Sequence, residues 1–204
     1  MLKKLTAAIF LILPMQAFSS SAEISSLGPP VPFFEPFTVN VNVIEKVSGL
    51  IYWAEPISTD AAGISAVKKY IESSKTNNYM PSPFVFQFRL AGVVKEDDSG
   101  ADLTNDDFSI TTNKAINKAL EGKSFTLKCY GQYQNTIVPY CDLVGSQGGS
   151  PVYTLVNEGL LIPEPLAGVT DGTQQKALKQ SVDSAKERQV GVWKPFHSMF
   201  RGLQ

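Results

Sequence analysis

Between residues 37 and 43 the chain alternates strictly: Phe37, Val39, Val41 and Val43 are separated by Thr38, Asn40 and Asn42. A period of two sends the apolar set to one face and the polar set to the other, so the segment is a half-buried strand. After a turn at Ser48-Gly49, residues 50–54 continue as a second strand. Ile64, Val67, Lys68 and Ile71 then recur at helical spacing, which predicts a helix over residues 61–75. Asn77, Asn78, Pro81 and Pro83 mark a loop after it. The strongest strand signal follows, with Phe84, Phe86, Phe88 and Leu90 alternating with Val85, Gln87 and Arg89. Its apolar face belongs to the core, which throws Arg89 onto the opposite face.

Residues 111–120 carry Ala115, Ile116, Ala119 and Leu120 on one helical side, stopped by Gly122. Phe125, Leu127 and Cys129 open a strand that returns over residues 137–144. The midpoint between Cys129 and Cys141 is Asn135, inside the polar stretch from Gln132 to Thr136. An antiparallel hairpin turning there sets the two cysteines opposite each other. Opposed residues lie roughly 4.5–5.5 Å apart, a separation a disulfide tolerates, and closing this loop contributes about 2–3 kcal/mol. Residues 151–158 form a short helix capped by Gly159, and a surface loop with Pro163, Pro165, Gly168 and Gly172 follows. The last helix, residues 173–190, buries Leu178, Val182 and Ala185 and turns Lys176, Lys179, Lys186 and Arg188 outward. Gly191 ends it, and Val192-Trp193 fold back onto the β-core. This order of elements is that of a five-stranded closed barrel with appended helices, mainly β within an α+β class.

The start of the chain adds a cellular address. Lys3 and Lys4 precede an uncharged apolar run over residues 5–18, interrupted by Pro14. A spanning helix needs about 20 apolar residues, so the run is read as a secretory signal peptide, with a retained anchor as the alternative. Ser20-Ser21-Ala22 supply the small residues of a cleavage site, and Glu23 opens the mature chain. No cysteine follows that site, which argues against a lipid anchor. The expected organisation is a signal peptide (1–22), a proline-rich lead-in (23–36), one domain (37–193) and a tail (194–204). The lead-in reads as an extended linker, with a docking segment as the alternative. The expected location is periplasmic or secreted, with no membrane span after cleavage.

Charge narrows the partners. The whole chain carries a formal −1, and loss of Lys3 and Lys4 takes it to −3 in the mature part. A mildly acidic domain gains little from polyanions, whose non-specific binding rests on neutralised phosphates. The charge is uneven, with acids Glu96, Asp97, Asp98, Asp102, Asp106 and Asp107 in one stretch and a basic excess after residue 172. Each is read as a solvated face. Two cysteines and the single His197 are too few for a closed zinc site, and His197 is read as a tail residue without a nucleophile beside it. In an exported chain the cysteine pair is most simply a disulfide.

Three phrases carry a family resemblance. Phe88-Arg89-Leu90-Ala91-Gly92-Val93 resembles the "R-L-A-G-I-D" strand of staphylococcal-nuclease-like (thermonuclease) domains. Leu155-Val156-Asn157-Glu158-Gly159-Leu160 is similar to their "L-V-x-E-G-L/A", and Ala185 through Trp193 resembles their closing "A-x-x-x-x-x-G-L/I-W". The cysteines also sit where exported bacterial members often carry them. The match spans residues 37–193 and implies an OB-fold barrel. The inserted segment 61–83 has no counterpart in that pattern.

The resemblance implies calcium-dependent phosphodiester hydrolysis, in which carboxylates hold the metal and two arginines stabilise the charged phosphorane. Arg89 matches the first arginine. The position five residues on, normally a metal-binding aspartate, is Val94, and Asp97 stands where the family has its glutamate. In the "D-G-D-T" turn, Glu45 replaces the first aspartate and Val47 the second. No Arg or Lys occurs between Tyr130 and Val144, where the second arginine belongs. Such groups are each worth orders of magnitude in rate, so the expectation is a nuclease-like barrel that has lost catalysis and serves as a binding or assembly module, with a protein partner in the cell envelope, within a secretion or conjugation apparatus. No cofactor is expected on this reading. One alternative is an active nuclease with a rearranged site of Arg89, Asp97 and Glu45 around calcium or another divalent metal. Another is binding of an oligonucleotide or sugar by Arg89 with Tyr130, Tyr133 and Tyr140. For Arg89 itself the reading is an ion pair with Asp97 or Glu45, with a phosphate or carboxylate ligand as the alternative.

Overall fold

A computed structural model describes residues 35–95, 107–130, 138–164 and 172–194. The first strand, β1 (Phe37–Ser48), buries every second residue from Phe37 to Val43. It runs five residues past the alternating segment because irregularities between Val43 and Lys46, and again before Ser48, bend it onward. A turn with Gly49 at φ 48° leads into the antiparallel β2 (Ile51–Pro56). Helix α1 (Ala61–Ser74) starts at Asp60, whose carboxylate accepts from Gly63 N at 2.9 Å. The same carboxylate accepts from Asn40 N at 2.7 Å, so the cap also fastens α1 to β1.

The expected loop after α1 contains a short strand, β3 (Tyr79–Pro81), paired with β4 (Phe84–Leu90). A two-residue strand, β5 (Val93–Val94), follows. Helix α2 (Asp107–Leu120) begins four residues before the predicted start at 111. Then come β6 (Ser124–Tyr130), β7 (Tyr140–Val144) and α3 (Pro151–Asn157). Strand β8 (Ile162–Pro163) pairs with β5, and α4 (Gly172–Glu187) leads to a 3-10 turn at Gly191–Trp193.

The strands order as β2-β1-β6-β7-β4-β3, and an additional β2–β4 pairing closes the sheet. The result is a five-stranded barrel of β1, β2, β4, β7 and β6, with β4–β7 parallel and the other pairs antiparallel. This is the α+β barrel that the order of elements predicts. Tyr52, Phe86, Phe88, Leu90, Leu127 and Leu143 fill its interior with no exposed surface to speak of. Cys129 and Cys141 face each other in register across β6 and β7, bonded, with Cα atoms 4.0 Å apart. Two of the phrases singled out in the sequence meet in space: Gly159 (φ 67°) and Gly191 (φ 56°) touch backbone to backbone, and Val192 N donates to Gly159 O at 3.0 Å. A Cβ on either glycine would run into the other's backbone.

Candidate functional site

One row of registered residues crosses the outside of the barrel. Ile51 on β2 pairs with Arg89 on β4, Arg89 with Tyr140 on β7, and Tyr140 with Tyr130 on β6. Alternation puts all of them opposite the core-facing Phe88, Leu90, Cys141 and Cys129. Arg89 N donates to Pro139 O at 2.9 Å, which fixes the backbone at the seam. Its guanidinium carbon stands 5.6 Å from the centre of the Tyr140 ring, a cation–π contact. Its Nε is buried without a hydrogen-bond partner. Leaving a buried donor unmade costs about 1–3 kcal/mol, so Nε weighs against the fold.

Beneath the guanidinium the surroundings are apolar. Tyr140 and Ala91 are buried together, and Val94 packs against them. Val94, at the position where the resemblance implies a metal aspartate, is thus part of a hydrophobic cluster. A hard cation takes six to eight oxygen ligands; the described residues beside Arg89 do not fit one. Among the described residues no group of three or more His, Cys, Asp or Glu side chains is placed to hold a metal. Glu45 is exposed on β1, and Val47 is 41% exposed. No ion pair joins Arg89 to Glu45. Asp97 and Tyr133 lie outside the described residues. Tyr130 is half-buried, and its hydroxyl accepts from Gln174 Nε2 of α4 at 3.0 Å. The row thus brings Arg89, Tyr140 and Tyr130 together, with the Tyr140 face already covered by Arg89.

A second polar cluster escaped the sequence reading. Lys46 Nζ donates to Asn113 Oδ1 at 2.7 Å, and the buried Lys95 Nζ approaches the same oxygen at 3.4 Å. Lys46 N donates to Glu121 Oε1 at 3.0 Å, and Tyr52 OH to Asn117 Oδ1 at 3.3 Å. Burial, and then the Glu121 charge, push the Tyr52 phenol well above its ordinary range. The signal was present: Asn113 and Asn117 on α2 and Glu121 just past its end recur every four residues as a polar stripe. Lys46 adjoins Val47 and Lys95 adjoins Val94 in sequence.

No protein-family model matches the chain, and no curated protein matches it in sequence. Among solved structures it is similar to the extended Tudor domain of Drosophila melanogaster Tudor-SN (p100), with a TM-score of 0.53 at 12% identity, over 78% of this chain and 100% of that one. The fold is OB-type and staphylococcal-nuclease-like. At that identity the likeness is one of fold alone.

Proposed function

We propose that this chain is an exported, degenerate member of the staphylococcal-nuclease-like group that binds rather than cleaves, acting as an assembly module of the cell envelope. One observation carries the reading: Val94, with Ala91 and Tyr140, makes an apolar cluster under Arg89 in the place where hydrolysis needs metal-binding carboxylates. The guanidinium supports the binding half. A guanidinium on the outer side of the barrel beside an aromatic ring is suited to donate to a carboxylate or phosphate of a partner. Export rests on the segment 1–22 and on the bonded cysteines, since disulfides persist in oxidising compartments. Among the described residues no helix is long and apolar enough to cross a membrane.

The test is a cleavage assay with single-stranded DNA and RNA in calcium, magnesium or manganese. The expected result is no product above the protein-free blank in any metal. Cleavage that disappears in Arg89→Ala overturns the reading in favour of a nuclease with a rearranged centre. A parallel titration with a short oligonucleotide at low and moderate salt separates an envelope protein partner from a nucleic-acid ligand; the expected result is no saturable binding. Oligonucleotide binding lost in Arg89→Ala replaces the protein partner by a nucleic acid.

A further inference from the structure

The segment between β2 and β4 adds a helix and a short strand beside the five strands of the closed barrel. Helix α1 and the short strand β3 stand against the end of β2 and the start of β4, and a groove of about 550 Å³ opens between them. It lies at the end of β4 away from Arg89, since Phe84 lines it and Arg89 does not. The volume falls within the range of roughly 300–1,000 Å³ usual for ligand sites.

The lining is of two kinds. Pro56, Ile64, Ile71, Tyr79 and Phe84 make an apolar, partly aromatic floor. Glu55, Glu72 and Lys68 stand on the rim, all exposed. Lys68 Nζ lies 5.7 Å from the centre of the Phe84 ring, so the groove's own cation already rests on an aromatic face of the floor. Glu55 and Glu72 are paired with no cation among the described residues, and the neighbouring Lys69 is taken by Glu35 at 2.8 Å. The rim therefore holds two uncompensated carboxylates against one lysine, above an apolar floor.

We infer that this groove is a docking site for an extended segment of a partner protein in which a basic residue adjoins a bulky apolar one. The apolar side chain buries against Tyr79, Ile71 and Phe84, and the basic group lies between Glu55 and Glu72. Like-charge contact excludes acidic segments, which gives the site its selectivity. The edge at Pro81 suits an extended occupant, because a proline leaves the rim with one donor fewer to satisfy. The site is independent of Arg89, so it stands or falls separately from the cleavage assay.

The probe is a capped hexapeptide of alternating phenylalanine and arginine, with two controls, one with glutamate for arginine and one with alanine for phenylalanine. Binding to the full chain is followed by fluorescence polarisation and by amide shifts in NMR spectra. The expected result is saturable binding of the first peptide alone, with shifts confined to α1, β3 and the start of β4. Glu55→Gln with Glu72→Gln is expected to weaken it at least tenfold with unchanged melting temperature, because both residues are exposed. Arg89→Ala is expected to leave it unchanged. Equal binding of the glutamate peptide, shifts centred on Arg89, full affinity in the double variant, or no binding at all overturns the inference.

Discussion

At the scale of single residues, Arg89 shows how far a pattern reaches. Alternation along β4 places its side chain outside the barrel, and it is there. Alternation says nothing of its neighbour across the seam, because β5, α2 and β6 separate β4 from β7 in sequence and the two pair in parallel. The ring of Tyr140 lies against the guanidinium, and Glu45, one of the two acids that charge-counting pointed to, makes no ion pair with it; the other, Asp97, lies outside the described residues. A cation–π contact contributes about 0.5–1 kcal/mol, and the unmade Nε bond costs about 1–3 kcal/mol. Arg89→Met is therefore expected to leave stability unchanged or to raise it by up to about 1 kcal/mol, measured by urea denaturation. A loss of about 2 kcal/mol or more would make Arg89 a structural residue.

The same limit explains the second cluster. Lys46 and Lys95 look like surface lysines in the sequence, since nothing local marks either for burial. They converge on Asn113 only because the bend in β1 and the short β5 carry both chains under α2. The three phrases of the resemblance were legible because each holds a feature with a local cause: an alternating strand, a helix cap and a glycine with positive φ.

At the scale of elements, two joints carry most of the geometry. Asp60 serves α1 and β1 at once. Its hydrogen bonds, first from Asn40 N and then from Gly63 N, hold its carboxyl below the usual carboxylate range. A depressed pKa means stability that is present above the unfolded value and lost as pH falls through the folded one. Asp60→Ala is expected to cost about 1–2 kcal/mol near neutral pH, and the gap from the parent should narrow in denaturation curves taken below pH 4. The second joint is the contact of Gly159 with Gly191. Gly191→Ala meets both a left-handed backbone and the Gly159 carbonyl, so a loss of about 2 kcal/mol or more is expected, read as a fall in melting temperature. Helices and strands with clear periodicity were legible to within a few residues. Strand β3 was not, because Pro81 and the asparagines before it signal a loop, and only pairing with β4 makes Tyr79–Pro81 extended.

Across the whole molecule, the barrel interior and its disulfide act together. Cys129 and Cys141 are both buried in the core, so a reductant reaches the bond only when the barrel opens. Replacing both by serine is expected to lower stability by about 2–3 kcal/mol, while the native chain should resist mild reductant at temperatures well below melting. Buried phenols set an alkaline limit as well. Burial raises the Tyr70 pKa to about 12, above the value near 10 in an unfolded chain. The folded state then holds a proton that the unfolded state gives up, so this contribution is intact below pH 10 and declines as pH rises towards 12. Denaturation curves at pH 9 and 11, with tyrosinate absorbance followed alongside, should show the decline; equal midpoints would contradict it.

Among the described residues β4 and β7 meet in two registered pairs, Arg89 with Tyr140 and Leu90 with Cys141. The barrel is thus shut by a narrow clasp, whose outer side carries the Arg89 guanidinium against the buried Tyr140 ring. A ligand that binds the folded barrel at that guanidinium is expected to stabilise it by about 2.7 kcal/mol at a hundredfold excess over its Kd. A thermal-shift screen of small anions and carboxylate-bearing peptides therefore tests the proposed binding directly, through a rise in melting temperature that Arg89→Ala abolishes.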